Sequence, residues 1–383
     1  MRTLLAPFSW LYGLGLAIRH TLYDNRLLPS HEADILTICV GNLAVGGTGK
    51  TPHVEYLIRL LSPRYKVAVL SRGYKRKTRG FVLADGHASA STIGDEAMQI
   101  HSKFPHVAVA VCEDRVRGVR MLKKQVEGLQ VVILDDAFQH RAIRCGYYIL
   151  LTPYNQLYID DHLLPWGQLR DLKTRALKAN SIIVTQCPPD AQPIDFRVID
   201  NRLHLPTFQH LFFSQVRYAE NESGECGAAW RPHLHGDPRP LPPPQKGGGV
   251  LDSPQRDDRR RDVCVPSESQ KQRVLVLTGI AQPEYLMEYV RKQHPNACLM
   301  AFPDHHRFTK KDVERILYKA QCYDTILTTE KDYQRLAETS VPEQLGERLH
   351  TLPIEVQLRG DKNKDFDQEI LNYVKQNLSR CAR

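Results

Sequence analysis

Residues 41–52 read GNLAVGGTGKTP, three closely spaced glycines running into a lysine and a threonine directly after the apolar stretch ILTICV. Gly46, Gly47 and Gly49, with Thr48 between them, let the backbone curl so that successive N–H groups converge on an anion. Lys50 adds a point charge for the outer phosphates, and Thr51 supplies a hydroxyl suited to Mg²⁺. The pattern is that of a nucleotide phosphate-binding loop with one departure, because Ala44 stands where G-x-x-x-x-G-K-[ST] places its first glycine. An ordinary glycine-rich turn is the alternative. The apolar strand before the loop and the helix-like HVEYLIRLL after it argue against that alternative.

Carboxylates and histidines recur at the ends of other apolar runs. VVILDDAFQH places Asp135 and Asp136 at the carboxyl end of a buried strand, where ligands bind in open α/β sheets and where an acid opposite the loop hydroxyl can hold Mg²⁺. One of the two is expected to be the close ligand, and Gln139 and His140 follow within reach of the same edge. IGDEAMQI at 93–100 offers Asp95 and Glu96 at a helix start, where capping alone would account for both. FPDHHRF at 302–308 carries Asp304, His305 and His306. Adjacent histidines on an extended segment face opposite ways, so one is expected to face the cleft and the other to support the fold. TTEKDYQRL adds Lys331 and Asp332, and SRGYKRKTRGF at 71–81 packs five cations around Tyr74 at another strand end.

These residues need a scaffold, and the hydropathy pattern supplies one. Continuous β-branched runs at DILTICV, 66–71, 107–112, 131–136, 147–151 and 181–185 alternate with helix-like stretches, which predicts a mostly parallel sheet covered on both faces. A second, smaller α/β unit is expected over 273–383, separated from the 29–217 core by a Pro, Gly and charge-rich insertion over 218–272. Cys226, His233, His235 and Cys264 lie in that insertion, but their spacing matches no known ligand pattern.

Charge is unevenly placed. The whole chain carries 52 basic and 43 acidic side chains, while residues 1–150 hold 20 Lys and Arg against 12 Asp and Glu, so +8 of the net +9 lies there. That half is expected to meet an anion: nucleotide phosphates, an anionic membrane surface or a phosphorylated lipid. No zinc finger, aromatic RNA platform or heptad array points to nucleic acid. The nine cysteines are odd in number, scattered and never arranged as C-x-x-C, as suits a reducing compartment. Residues 1–28 contain LLAPFSWLYGLGLAI, fifteen residues against the roughly 20 needed to cross a bilayer, with no A-x-A cleavage site. Phe8, Trp10 and Tyr12 between flanking arginines suit an interfacial, membrane-associated helix, and a helix packed on the first domain is the alternative.

Taken in order, GNLAVGGTGKTP, SRGYKR, GDE, DDAFQH, PWGQLRD, DHHRF and TTEKD resemble the tetraacyldisaccharide 4′-kinase family of lipid A biosynthesis over nearly the whole chain. In that family the glycine missing at Ala44 is commonly absent, and the inter-domain linker is shorter than 218–272. The resemblance implies a phosphate-loop kinase core, ATP and Mg²⁺ as cofactors, and a lipid disaccharide 1-phosphate acceptor at the cytoplasmic face of the inner membrane. It further implies Asp95 as the base paired with His305, Mg²⁺ held by Thr51 with Asp135 or Asp136, and Lys50 stabilising the transferring phosphoryl group. Arg72, Tyr74, Arg117, Gln139, His140 and Arg170 become candidates for substrate or nucleotide contacts. A membrane-associated ATPase switch is the rival class; it usually has lysine where Val45 stands, and no N-K-x-D motif marks a GTPase. Nothing in the sequence specifies an oligomeric state.

Overall fold

The computed structural model describes residues 5–218, 273–280, 283–360 and 363–381. The expected insertion, apart from Tyr218, and its Cys226, His233, His235 and Cys264 lie outside the described residues.

The chain opens with α1 (Ala6–Asp24) and a two-residue strand β1 (His31–Glu32), then alternates: β2 (Leu36–Asn42), α2 (Lys50–Leu61), β3 (Val67–Ser71), β4 (Val82–Leu83), α3 (Ala90–Ile93), α4 (Asp95–Lys103), β5 (Ala108–Val111), α5 (Arg115–Gln125) and β6 (Val131–Asp135). There follow β7 (Ile143–Arg144), β8 (Tyr147–Pro153), β9 (Ser181–Thr185), α6 (Pro193–Leu203) and β10 (His210–Tyr218). Beyond the insertion come β11 (Val274–Thr278), α7 (Pro283–Gln293), β12 (Cys298–Ala301), α8 (Lys310–Ala320), β13 (Thr325–Thr329), α9 (Glu330–Leu336), α10 (Val341–Leu345), β14 (Leu349–Leu352), β15 (Ile354–Arg359) and α11 (Asn363–Cys381).

Nine strands form the main sheet in the order β15-β10-β9-β8-β2-β6-β3-β5-β4, parallel except for β15 and β4 at the two edges. All seven residues of β2 are buried, and they divide between the two faces. Ile38 and Val40 join the layer formed by α2, α4 and α11, while Cys39 joins the opposite layer. Burial on both sides is why these strands read as unbroken apolar runs, each large side chain contributing about 1.5–3 kcal/mol. A second sheet, β12-β11-β13-β14, is wholly parallel.

One boundary differs from the sequence expectation. The last part of 273–383 does not stay with the smaller unit: β15 pairs with β10, and Leu358, Phe366, Ile370 and Val374 enter the core beneath the phosphate-loop helix. Alternating Ile354, Val356 and Leu358 announce a strand, but their pattern carries no information about which sheet receives it.

The N-terminal helix packs on the first domain along one side and leaves the other side open. Ser9, Leu16 and His20 are buried against the core domain, while Phe8, Trp10, Leu11, Leu14 and Ile18 on the other side are exposed. No helix among the described residues is long and apolar enough to cross a membrane.

Candidate active site

Strands β2, β6 and β3 lie side by side, so the segments leaving their carboxyl ends share one edge. The loop after β2 turns through left-handed backbone at Gly46 (φ 116°) and Gly49 (φ 79°), conformations that a side chain would strain, and α2 then starts at Lys50. Gly47 is open around its α-carbon, the Thr48 hydroxyl is buried without a partner, and Lys50 Nζ sits 3.5 Å from Asn42 Oδ1. The loop is braced from below by His53. Its Nδ1 lies 2.7 Å from the Gly49 carbonyl and its Nε2 2.9 Å from Ser214 Oγ. A carbonyl only accepts, so Nδ1 carries the hydrogen and Nε2 accepts the serine hydroxyl. Burial pushes His53 down to about 4, which keeps that arrangement at neutral pH.

The paired aspartates at the end of β6 have different surroundings. Asp135 is 1% exposed and neither carboxylate oxygen has a hydrogen-bond partner. Burial, reinforced by the charges of Glu96 and Asp136, pushes its carboxyl up to about 7. Asp136 takes positive φ (48°), leaves the strand direction and meets the Arg170 guanidinium, with one contact at 3.0 Å. Burial would raise Asp136, but the Lys50 and Arg170 charges outweigh it and hold the carboxyl low. A buried carboxylate with both oxygens free, beside a lysine and a phosphate-binding loop, has the donor chemistry that a hard divalent cation requires. Among the described residues no three His, Cys, Asp or Glu side chains cluster into a metal cage by themselves. A cation here would also draw on the Thr51 hydroxyl and on phosphate oxygens.

Asp95 opens α4 and belongs to the same edge, because Gly94 (φ 89°) abuts the segment after β3. A β-carbon at Gly94 would come within 3.1 Å of the Tyr74 carbonyl. From the smaller unit, the segment after β12 brings His305 to meet it, with Nδ1 2.8 Å from Asp95 Oδ2. Lys331 Nζ lies 3.1 Å from His305 Nε2 and can only donate. Nε2 is therefore the acceptor, and Nδ1 donates its hydrogen to Asp95. His305 itself has φ 56°, a conformation uncommon for residues with a side chain and one found at functional sites. Burial raises the Asp95 carboxyl, but the His305 hydrogen bond and the Lys331, His305 and Arg335 charges prevail, leaving it below its ordinary value. His306 turns the other way, bonding Asp312 at 3.0 Å and stacking on Phe302. Of the two adjacent histidines, His305 is the one that meets Asp95.

The weaker candidates divide. Tyr74 stands edge-on to His305 at 5.2 Å, and Arg72 is exposed at the end of β3. Gln139 Nε2 donates to the Asn42 carbonyl at 2.7 Å. Arg170 is held by Asp136 and, at 2.6 Å, by Asn42 Oδ1. Arg117 and His140 instead line a separate cleft of about 710 Å³ with Arg120, Met121 and His31, and burial with the Arg115, Arg72 and Arg19 charges pushes His140 down to about 4.

Two participants were not singled out from the sequence. Arg115 is 0% exposed, and its guanidinium donates to the Cys112 carbonyl at 2.6 Å and the Asp135 carbonyl at 3.4 Å, tying the ends of β5 and β6 together. In EDRVRG it is one arginine among several, and only burial distinguishes it. Asn42, also 0% exposed, is the one amide in a strand buried along its whole length.

A family model described as tetraacyldisaccharide-1-P 4′-kinase matches residues 1–375. A tetraacyldisaccharide 4′-kinase of Bacteroides fragilis strain YCH46 is 42% identical over 383 residues, spanning 97% of this chain and 93% of that protein. One from Flavobacterium johnsoniae is 41% identical over 378 residues, spanning 99% and 98%. Among solved structures, the "apo" form of LpxK from Aquifex aeolicus in complex with ATP superposes with a TM-score of 0.67 at 26% identity, covering 97% of this chain and 99% of that one.

Proposed function

The chain belongs to the tetraacyldisaccharide 4′-kinase family, and from that premise we propose which of its residues carry the reaction. The protein is an ATP-dependent kinase of lipid A biosynthesis that transfers a phosphoryl group to the 4′-hydroxyl of a tetraacyldisaccharide 1-phosphate.

In this reading the amides of 46–51 and the Lys50 ammonium hold the ATP phosphates, and Lys50 faces the charge that develops on the transferring group. Asp135 and Thr51 would hold Mg²⁺, as supported by the two unpartnered carboxylate oxygens. The ion supplies charge neutralisation on the phosphate oxygens. Asp136 serves a different end, fixing Arg170 against Asn42 and thereby the floor of the loop. As the sugar oxygen bonds to the γ-phosphorus, its proton passes to Asp95 and the bond to the β-phosphate oxygen breaks, leaving ADP. A sugar hydroxyl loses its proton late in a loose transition state, so an aligned carboxylate of low basicity suffices, and His305 supplies the alignment. The Asp95–His305 contact at 2.8 Å carries this assignment, since it joins two distant sequence segments at the edge that bears the phosphate-binding loop.

The exposed apolar side of α1 supports seating on an anionic membrane surface at the cytoplasmic face, where the acceptor resides. The domain plan that follows is an N-terminal interfacial helix, a phosphate-loop core completed by β15 and α11, and a smaller unit from β11 to β14. The test is transfer of labelled γ-phosphate from ATP to a lipid disaccharide in detergent. Asp95→Asn is expected to lower turnover by ~100-fold or more while MgATP still binds. Wild-type turnover in that variant would remove Asp95 as the base.

A further inference from the structure

The segment 163–171 lies between α1 and the phosphate-binding loop and is hydrogen-bonded to both. On its helix side, Ser9 Oγ donates to the Leu163 carbonyl and accepts from the Trp166 amide, each at 2.9 Å. Tyr12 Oη donates to the Arg170 carbonyl at 2.9 Å, and His20 Nε2 lies 2.6 Å from Asp171 Oδ1. Arg141 Nη1 donates to His20 Nδ1 at 3.2 Å, so Nε2 carries the hydrogen that Asp171 accepts. Ser9, His20 and Asp171 are all buried.

On its other side the segment forms a short ladder with the loop. Val45 N–H donates to the Gln168 carbonyl and Arg170 N–H to the Leu43 carbonyl, both at 2.8 Å, with a bridge between Ala44 and Leu169. The Arg170 guanidinium then clamps Asn42 and Asp136. The strap between these two sides is stiff. Asp161 Oδ1 accepts from the His162 amide at 2.7 Å and the Gln168 amide at 3.2 Å, and a β-carbon at Gly167 would fall 2.2 Å from the His162 carbonyl. A displacement of α1 has no slack in which to be absorbed before it reaches residues 42–45.

We propose that α1 is a positioning element of the nucleotide site: through the strap at 163–171, Ser9, Tyr12 and His20 hold the phosphate-binding loop in its ATP-binding conformation. The inference rests on the reading that this loop holds the ATP phosphates. An anchoring role for α1 needs only its exposed apolar side, whereas its buried polar side chains, Ser9 and His20, both hydrogen-bond to the strap. A preorganised loop pays no ordering cost when ATP binds, so loosening its support weakens the affinity for nucleotide before it affects chemistry.

The experiment is titration of the full-length protein in detergent with a fluorescent ATP analogue and Mg²⁺, without lipid. His20→Leu is expected to weaken binding by ~5-fold or more and to raise KM for ATP, with KM for lipid little changed. His20→Gln, whose side-chain amide can still donate to Asp171, restores most of the loss. His20→Leu continues to co-sediment with phosphatidylglycerol vesicles, because the exposed side of α1 is untouched. Tyr12→Phe removes a single hydroxyl from a partly exposed position and is expected to weaken binding by ~2-fold or more, giving a readout even if His20→Leu fails to fold. Wild-type affinity in His20→Leu or, where that variant does not fold, in Tyr12→Phe overturns the proposal, as does a His20→Gln loss equal to that of His20→Leu. Lys50→Ala tests the premise separately: undiminished MgATP binding there refutes the loop assignment whatever the His20 variants do.

Discussion

Replacing Asp135 by asparagine is expected to abolish kinase activity and to stabilise the metal-free protein. The Asp135 carboxyl is fully buried with no hydrogen-bond donor to either oxygen, and burial with the Glu96 and Asp136 charges pushes it up to about 7. An unfolded chain titrates the same group near 3.8, so the folded protein binds the extra proton and loses stability as pH rises between those values. A gap of about three pH units puts the loss on the order of 4 kcal/mol by pH 8, and at less than half of that at pH 5. Asparagine is nearly isosteric and does not ionise, so Asp135→Asn is relieved of that loss. Thermal unfolding in EDTA should show the variant melting higher than wild type, by roughly 5–10 °C at pH 8 and by less than half of that at pH 5. Added MgATP should close the gap by stabilising wild type far more than the variant. A variant no more stable than wild type at pH 8, or a difference independent of pH, would refute the reading of Asp135 as an unpartnered buried carboxylate.

His305→Ala removes the hydrogen bond that is the largest influence lowering Asp95 and leaves burial opposed only by the Lys331 and Arg335 charges. The acidic limb of kcat/KM should therefore move up, with a turnover loss on the order of 100-fold, and an unmoved limb would separate His305 from the base. The same substitution removes stability that wild type retains above the ordinary Asp range and loses only as pH falls through the lowered Asp95 value. Lys103 Nζ lies 2.8 Å from both Glu55 on α2 and Glu330 on α9, all three nearly buried. Lys103→Met leaves the buried Glu330 without its cation and Glu55 with only Arg59 at 3.4 Å, and should cost about 3–5 kcal/mol in urea unfolding; a cost under about 1 kcal/mol would show that water reaches the cluster.

Much of the architecture was legible because burial on both faces writes strands as continuous apolar runs, as in DILTICV and VVILDD. The phosphate-binding loop was legible because left-handed turns at Gly46 and Gly49 demand glycine locally. Asp95 and His305 were named by resemblance, while their meeting depends on a fold that brings together residues 210 positions apart. Arg170 was named as a candidate substrate or nucleotide contact; its clamp on Asp136, which takes positive φ, is something no residue pattern records.

By itself the sequence determined what is local: the backbone freedom of the loop, the alternation of strands and helices, and the apolar and polar sides of α1. Tertiary structure decided what depends on neighbours through space. It left Asp135 bare and paired Asp136, chose His305 over His306 for Asp95, returned β15 to the main sheet and tied α1 to the phosphate-binding loop. The reason is physical: propensity and hydropathy act over a few residues. Burial, and with it the cost of an unpaired charge, exists only once distant segments have excluded water from the same place.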